Sequence, residues 1–178
     1  MTKRRKPKLE DLIPPPPAPH IRWMIRRDMD EVLAIENERF EFPWCENDFI
    51  RVLRQRNAIG LVVDYDEQAV AYVIYELHKR RLHILGIAVD SRFDRRGFGR
   101  MLIEKLVGKL NPDRRVRISA EVRETNLGAQ LFFKACGFRA VSVVRGLYRD
   151  TDEDAYIMQY RLSLAQEAEI RQRWQECY

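Results

Sequence analysis

The sequence is short of the residues on which several common chemistries depend. It has three cysteines in 178 residues, Cys45, Cys136 and Cys177, far apart and odd in number. That spacing supplies neither a disulfide framework nor paired metal ligands, so a reducing, cytoplasmic setting is the expectation. Three histidines, His20, His78 and His83, are too few for a histidine-rich zinc centre, and no metal is expected. No apolar run approaches the ~20 residues a membrane span needs, which excludes an integral helical membrane protein. Met-Thr-Lys-Arg-Arg-Lys at the start is followed by no apolar stretch, so a secretory signal is not expected.

What is present suits one globular domain with tails. Hydrophobic residues make up 46% and charged residues 33%, and the net charge is +5. The charge is uneven. Residues 1–20 carry Lys3, Arg4, Arg5, Lys6 and Lys8 against Glu10 and Asp11, a net of +3, which leaves +2 for the remainder. The folded part is therefore not a strongly basic nucleic-acid binder. The same segment holds six of the eight prolines, so 1–20 reads as a disordered, basic, proline-rich tail. It either solubilises the chain or touches an acidic partner such as RNA or a ribosome.

Beyond the tail, the pattern predicts a strand over 21–26, then a helix opened by a capping box of Asp28 and Glu31 with Val32 and Ile35 on its buried stripe. Phe42, Pro43 and Trp44 interrupt it. A second helix is expected over 46–56, then a hairpin of strands over 59–65 and 69–77 and a third apolar strand over 82–89. Met101, Leu102, Leu106 and Leu110 follow at helical spacing. Val116, Ile118, Ala120 and Val122 alternate with polar residues, which predicts a strand over 115–122. A helix over 126–136 should end at Gly137. Strands over 138–145 and 155–162 close the domain, and a helical extension fills 163–178. The fold class is α/β, a single domain with a mixed sheet.

The strongest local signal is Arg95-Arg96-Gly97-Phe98-Gly99-Arg100, between an apolar strand and an apolar-periodic helix. Two glycines let backbone approach a ligand, and the helix start offers unpaired N–H groups and a positive dipole end. Three arginines add charge. The combination suits a diphosphate, although the full dinucleotide and P-loop fingerprints are absent.

With these motifs in order, residues 21–162 resemble the GNAT superfamily of N-acetyltransferases, and within it the RimI-type ribosomal-protein-alanine N-acetyltransferases. The resemblance is carried by Phe42-Pro43-Trp44, Gly86-Ile87-Ala88-Val89-Asp90, the Arg95–Arg100 loop, Glu121-Val122-Arg123-Glu124-Thr125-Asn126, Gly137-Phe138 and Asp154-Ala155-Tyr156-Ile157-Met158. It implies a mostly antiparallel sheet splayed at its centre, with helices on both faces. It also implies acetyl-CoA as cosubstrate. The backbone of Ile87, Ala88 and Val89 would pair with the pantetheine arm. Main-chain groups of Arg95, Arg96, Gly97, Phe98, Gly99 and Arg100 would hold the diphosphate, with Asn126 beside the pantetheine.

By the same resemblance Glu121 falls on the general base. The residues alone leave a second reading, a strand glutamate paired with Arg117 or Arg123. The acceptor implied is a protein or peptide N-terminus, with a ribosomal protein as the subfamily's example. The chemistry agrees, since an α-amine with a pKa near ~8 is easier to deprotonate than a lysine near ~10.4. Acetylation of lysine, polyamine or another small amine is the alternative, as is a non-catalytic acyl-CoA sensor.

Two positions depart from the family. Asp94 stands where Gln or Arg is usual, a carboxylate beside a diphosphate that flanking arginines would have to offset. Phe133 stands where the family has the tyrosine that protonates the departing thiolate. Tyr148 matches a family tyrosine over the acceptor site and is the candidate substitute donor, or else an aromatic wall. Cys136 reads as packing, and His83 as a packed or edge residue.

Overall fold

A computed structural model describes residues 17–175. The tail reading for residues 1–16, RNA or ribosome contact included, lies outside the described residues, as does the end of the extension past 175. The chain runs β1 (His20–Trp23), α1 (Met29–Arg39), α2 (Glu46–Leu53), β2 (Ala58–Tyr65), β3 (Gln68–Leu77), β4 (Arg81–Val89), α3 (Phe98–Val107), β5 (Arg117–Arg123), α4 (Leu127–Ala135), β6 (Arg139–Tyr148), β7 (Glu153–Arg161) and α5 (Leu164–Gln175). Seven strands form one sheet in the order β1-β2-β3-β4-β5-β7-β6. Every pairing is antiparallel except β4 with β5.

Alternation along the strands divides the core in two. Leu82, Ile84, Ile118, Ala120 and Val122 face α3 and α4 with Phe98, Leu102, Leu106 and Phe133. Val62, Tyr72, Ile74 and Ala88 face α1 and α2 with Val32, Ile35 and Phe49. Period-2 strands with both faces covered over β2–β4 explain why those strands read as nearly continuous apolar runs. The β2–β3 hairpin turns at Asp66 and Glu67, both with positive φ (55° and 61°), the geometry of a two-residue hairpin turn made here without glycine.

The expected capping box does not form. The Asp28 carboxylate accepts from the Ile25 N–H at 2.8 Å and from Arg22 at 2.6 and 2.8 Å, and it is buried. A nearby guanidinium outcompetes a helix N–H for a buried carboxylate, because the bond is charge-assisted on both sides. Glu31 instead reaches the Ala69 N–H at 3.4 Å. Gly137 ends α4 as expected: its φ is +87°, and the Phe138 N–H donates to Phe133 O across the turn at 3.0 Å.

The feature that positions the site lies at the sheet centre. The parallel pairing of β4 and β5 runs from Arg81↔Arg117 to Ile84↔Ala120 and stops. At the same level the β3–β4 register shifts, pairing Ile74 with Gly86 and Tyr75 with Ile84, so Leu85 is an extra residue. A bulge of this kind bends its strand. Beyond it, residues 85–89 of β4 and 121–123 of β5 part.

Candidate active site

The parted strands enclose a cavity of about 370 Å³. Leu85 and Gly86 form one wall and Glu121 and Val122 the other. Phe42 and Trp44 of the α1–α2 loop and Tyr148 and Asp150 of the β6–β7 hairpin frame its mouth. A second cavity of about 230 Å³ abuts it, bounded by Ala88, Val89, Gly99 and Phe132. Phe40, Ile87, Asn126, Ala129 and Phe133 line both. The site is thus a two-chambered passage across the sheet.

Glu121 stands at the first chamber with its side chain 42% exposed. The alternative partners read from the sequence do not take it. Arg123 pairs with Asp150 at 2.6 Å and Glu153 at 2.9 Å. Arg117 makes no ion pair among the described residues. The one basic side chain within 4 Å of the Glu121 carboxylate among the described residues is His83, its Nε2 at 3.9 Å, and His83 Nδ1 lies 3.0 Å from Ser119 Oγ. Burial pushes the His83 imidazole below its ordinary value, against the lifting effect of the Glu121 charge. His83 is therefore neutral near pH 7 and leaves the carboxylate available. It sits on an interior strand beside β5, not at an edge.

The Tyr148 hydroxyl donates to the main-chain oxygen of Glu121 at 3.3 Å. Burial, and then the Glu121 charge, raise its pKa, so the phenol holds its proton at neutral pH. The Arg123 guanidinium lies 3.9 Å from the Tyr148 ring centroid and 5.0 Å from that of Phe42. One arginine thus ties the hairpin side of the mouth to the loop side. Phe133 is 3% exposed and packs between Phe132, edge to face, and Phe138, tilted, at centroid distances of 5.3 and 5.0 Å. It contributes ring surface where the two chambers meet.

The second chamber runs to the Arg95–Arg100 loop. Gly97, at φ +87°, turns the chain into α3, and the first helical bond is from Met101 N to Gly97 O. The N–H groups of Phe98, Gly99 and Arg100 therefore precede any intrahelical acceptor. A Cβ at Gly99 would meet the Phe132 ring at 3.1 Å, so a larger residue there would push that ring and the close packing of α3 on α4 apart by a few tenths of an ångström. Two of the arginine side chains in this stretch have partners of their own. Arg96 lies over Phe93 and Tyr65 at 5.2 and 5.7 Å, and Arg100 donates to Ala135 O at 3.2 Å. Arg95 takes a positive φ of 63° in the turn. Asn126 caps α4, its Oδ1 accepting the Ala129 N–H at 2.9 Å. Asp94 is offset by Arg39 of α1, not by its flanking arginines; Arg39 also donates from Nε to Val89 O at 2.7 Å.

Glu36 and Arg39 were not singled out in the sequence. Glu36 is 4% exposed and lines the first chamber. It accepts the Trp44 N–H at 3.0 Å and the Tyr72 hydroxyl, and burial raises its pKa. The signal was available: Glu36 falls four residues from both Val32 and Phe40, on the buried stripe. Cys136 is half-buried and burial raises its thiol, as expected of packing. Among the described residues no cluster of His, Cys, Asp and Glu could hold a metal ion, and no helix is long and apolar enough to cross a membrane.

Comparison with known proteins adds to this geometry. The sequence pattern of the Acetyltransferase (GNAT) family matches residues 29–138. The ribosomal protein bS18-alanine N-acetyltransferase of Salmonella typhimurium is 32% identical over 139 residues, covering 77% of this chain and 93% of that protein. The crystal structure of the ribosomal-protein-S18-alanine N-acetyltransferase from Escherichia coli superposes with a TM-score of 0.72 at 26% identity, over 83% of this chain and 96% of that one. A GNAT family acetyltransferase from Elizabethkingia anophelis with acetyl-CoA bound shares the fold at a TM-score of 0.64 and 14% identity, over 81% and 98% of the two chains.

Proposed function

Because the chain belongs to the GNAT family of acetyltransferases, with acetyl-CoA as its acetyl donor, we propose that its acceptor is the free α-amine of a protein N-terminus. The observation that carries this reading is the place of Glu121, at the parting of β4 and β5, below an open mouth framed by Phe42, Trp44 and Tyr148. Of the carboxylates lining that chamber, Asp150 is paired with Arg123 and Glu36 is buried against Tyr72 and the Trp44 N–H, which leaves Glu121 to meet an incoming ammonium group. The named acceptor of the Salmonella and E. coli relatives is the alanine of ribosomal protein bS18. A ribosomal protein is the corresponding acceptor class proposed here.

The second chamber fits the donor. The left-handed turn at Gly97, the close α3–α4 approach at Gly99 and the unpaired N–H groups of Phe98, Gly99 and Arg100 make a cradle for a diphosphate. Arg95 and Arg96 shape the turn. Ile87, Ala88 and Val89 supply the strand edge for the pantetheine arm, with Asn126 at the junction. Acetyl-CoA supplies a thioester carbonyl there.

The chain's own residues then handle protons. The Glu121 carboxylate takes one from the acceptor ammonium, directly or through one water, which makes the amine a nucleophile. The amine then attacks the thioester carbonyl carbon, the C–N bond forms and the C–S bond breaks; Tyr148 donates its hydroxyl proton to the leaving sulfur, and the second proton shed by the new amide nitrogen returns through water to the Tyr148 oxygen. A thiol pKa near ~8.5 makes the thiolate a tolerable leaving group, so this donation accelerates the step without being indispensable. Phe133 has no proton to give and walls the junction.

The test is paired. Two peptides identical except for a free or a formylated α-amine are incubated with the protein and acetyl-CoA, and thiol release is followed. The reading expects release with the free peptide alone. Equal release with both would move the acceptor to side-chain amines.

A further inference from the structure

We infer that the end of the sheet remote from the acceptor mouth is a docking surface for the phosphate backbone of RNA. The choice of RNA rests on the reading that the acceptor is a ribosomal protein; the charge of the surface does not.

The connections at the two ends of the sheet differ in sign. α2–β2 (54–57), β3–β4 (78–80), α3–β5 (108–116), α4–β6 (136–138) and β7–α5 (162–163) meet at one end and carry a net of +6. At the other end lie the mouth and the Gly97 turn. There α1–α2 (40–45), β2–β3 (66–67), β4–α3 (90–97), β5–α4 (124–126) and β6–β7 (149–152) carry a net of −4. The sum of +2 over residues 21–178 hides this separation, because the chain alternates between the two ends.

The positive connections touch one another. The Leu77 N–H donates to Asn57 O at 2.7 Å, Arg115 Nε to His78 O at 2.8 Å and the Val116 N–H to Arg80 O at 3.3 Å. They therefore make one surface, which spans four strand spacings from β2 to β7, about 19 Å. Arg54, Arg56, Lys79, Arg80, Lys109 and Arg114 are exposed on it. Its two carboxylates are already engaged, Asp113 with Arg171 at 3.6 Å and Glu76 with His78 at 2.9 Å. A recess of about 430 Å³ opens at one side, between the α3–β5 connection and α5. Lys109, Arg114, Arg115 and Arg173 stand on its walls, with Glu169 beside them.

Spacing and chemistry decide the partner. A peptide carboxylate or a free phosphate would meet one or two of these charges. A polyanion with a charge every few ångströms meets the whole surface at once and releases its counterions in doing so. Four of the six exposed groups are guanidiniums, which take phosphate oxygens in pairs. Contacts of this kind go to the backbone and carry no sequence preference. Arg117, where β5 leaves this end, is four residues from Glu121, about 13 Å, so RNA held here leaves the mouth open.

The test uses a labelled RNA stem-loop and the full chain. Binding is read by fluorescence anisotropy across a salt series, and α-amine transfer to a free peptide by mass spectrometry. With about four phosphate contacts, affinity should fall about 10²-fold between about 50 and about 200 mM salt. Arg56→Gln, Lys79→Gln, Arg80→Gln and Arg114→Gln together should weaken binding at least about tenfold at low salt and flatten the salt dependence. Peptide acetylation by this variant should be unchanged. Lys3→Gln, Arg4→Gln, Arg5→Gln and Lys6→Gln remove the same number of charges from the start of the chain and serve as the matched control. A loss in the control as large as in the surface variant overturns the inference. So does polyglutamate of matched charge displacing the RNA as well as unlabelled RNA does, which would assign the surface to an acidic protein. RNA binding without transfer to any α-amine would overturn the acceptor reading and leave the surface standing. Transfer to α-amines without RNA binding would do the reverse.

Discussion

Arg39, in the last turn of α1, ion-pairs with Asp94, 55 residues later in the chain, at the edge of the Gly97–Gly99 turn. The pair removes the liability of a carboxylate beside a diphosphate. Through its second bond, to Val89 O, the same side chain fixes the end of β4. Arg39→Gln should raise the acetyl-CoA KM by about tenfold, the scale of one to two lost charge contacts. Adding Asp94→Asn should restore part of it. A KM that stays put in Arg39→Gln, measured by initial-rate thiol release, would show that Asp94 does not face the donor.

Glu121→Gln keeps the shape of the first chamber and removes the proton acceptor. Turnover should fall by about 10²–10⁴-fold, the range for a general base, with acetyl-CoA affinity unchanged by calorimetry. Retained turnover would remove Glu121 from the mechanism.

Tyr148→Phe should lower kcat by about tenfold, because a thiolate leaves tolerably without a donor. Phe133 lies where the two chambers meet, so Phe133→Tyr in that background should return a hydroxyl to the passage and recover the rate. Rate loss in Tyr148→Phe that Phe133→Tyr leaves untouched would assign Tyr148 to the acceptor wall.

Asp28 links β1 to α1 through Arg22. Burial alone would raise its carboxyl, but bonds from Arg22 and the Ile25 N–H outweigh burial and hold it below the ordinary value. A carboxyl lowered on folding stabilises the native state above its unfolded pKa of ~3.9, and that stabilisation is lost as pH falls through the folded value. Arg22 also holds Asp64 through Nε at 2.7 Å, so Arg22→Met leaves two buried carboxylates without their cation and should cost at least about 3 kcal/mol at pH 7. The loss should shrink near pH 4, where Asp28 can be protonated. Urea denaturation at the two pH values decides; equal losses would mean that neither Asp28 nor Asp64 is left as an unpaired carboxylate.

Much of this was legible in the residues. The strands around the site, the left-handed glycine at Gly137 and the glycine turn before α3 are local patterns, and the structure places them within a few residues of expectation. What escaped was side-chain partnership across the fold. Asp28 looked like a helix cap because only local competitors are visible in sequence, whereas Arg22 arrives from β1. Asp94 looked unhelpful because Arg39 is 55 residues away. The arginines of the glycine turn looked like added charge around the diphosphate loop, and two of their side chains have partners no local pattern shows: Arg96 lies over Phe93, and Arg100 donates to Ala135 O at the end of α4. Glu36 was missed although its spacing put it on a buried stripe, and His83 was read without Ser119 and Glu121, which only strand register brings beside it.

The most direct measurement is to locate the acetyl group on a single peptide that has both a free α-amine and an internal lysine, by fragment-ion mass spectrometry after incubation with acetyl-CoA. The account predicts the label on the α-amine alone, abolished in Glu121→Gln. Label on the lysine side chain with the α-amine unmodified would contradict it.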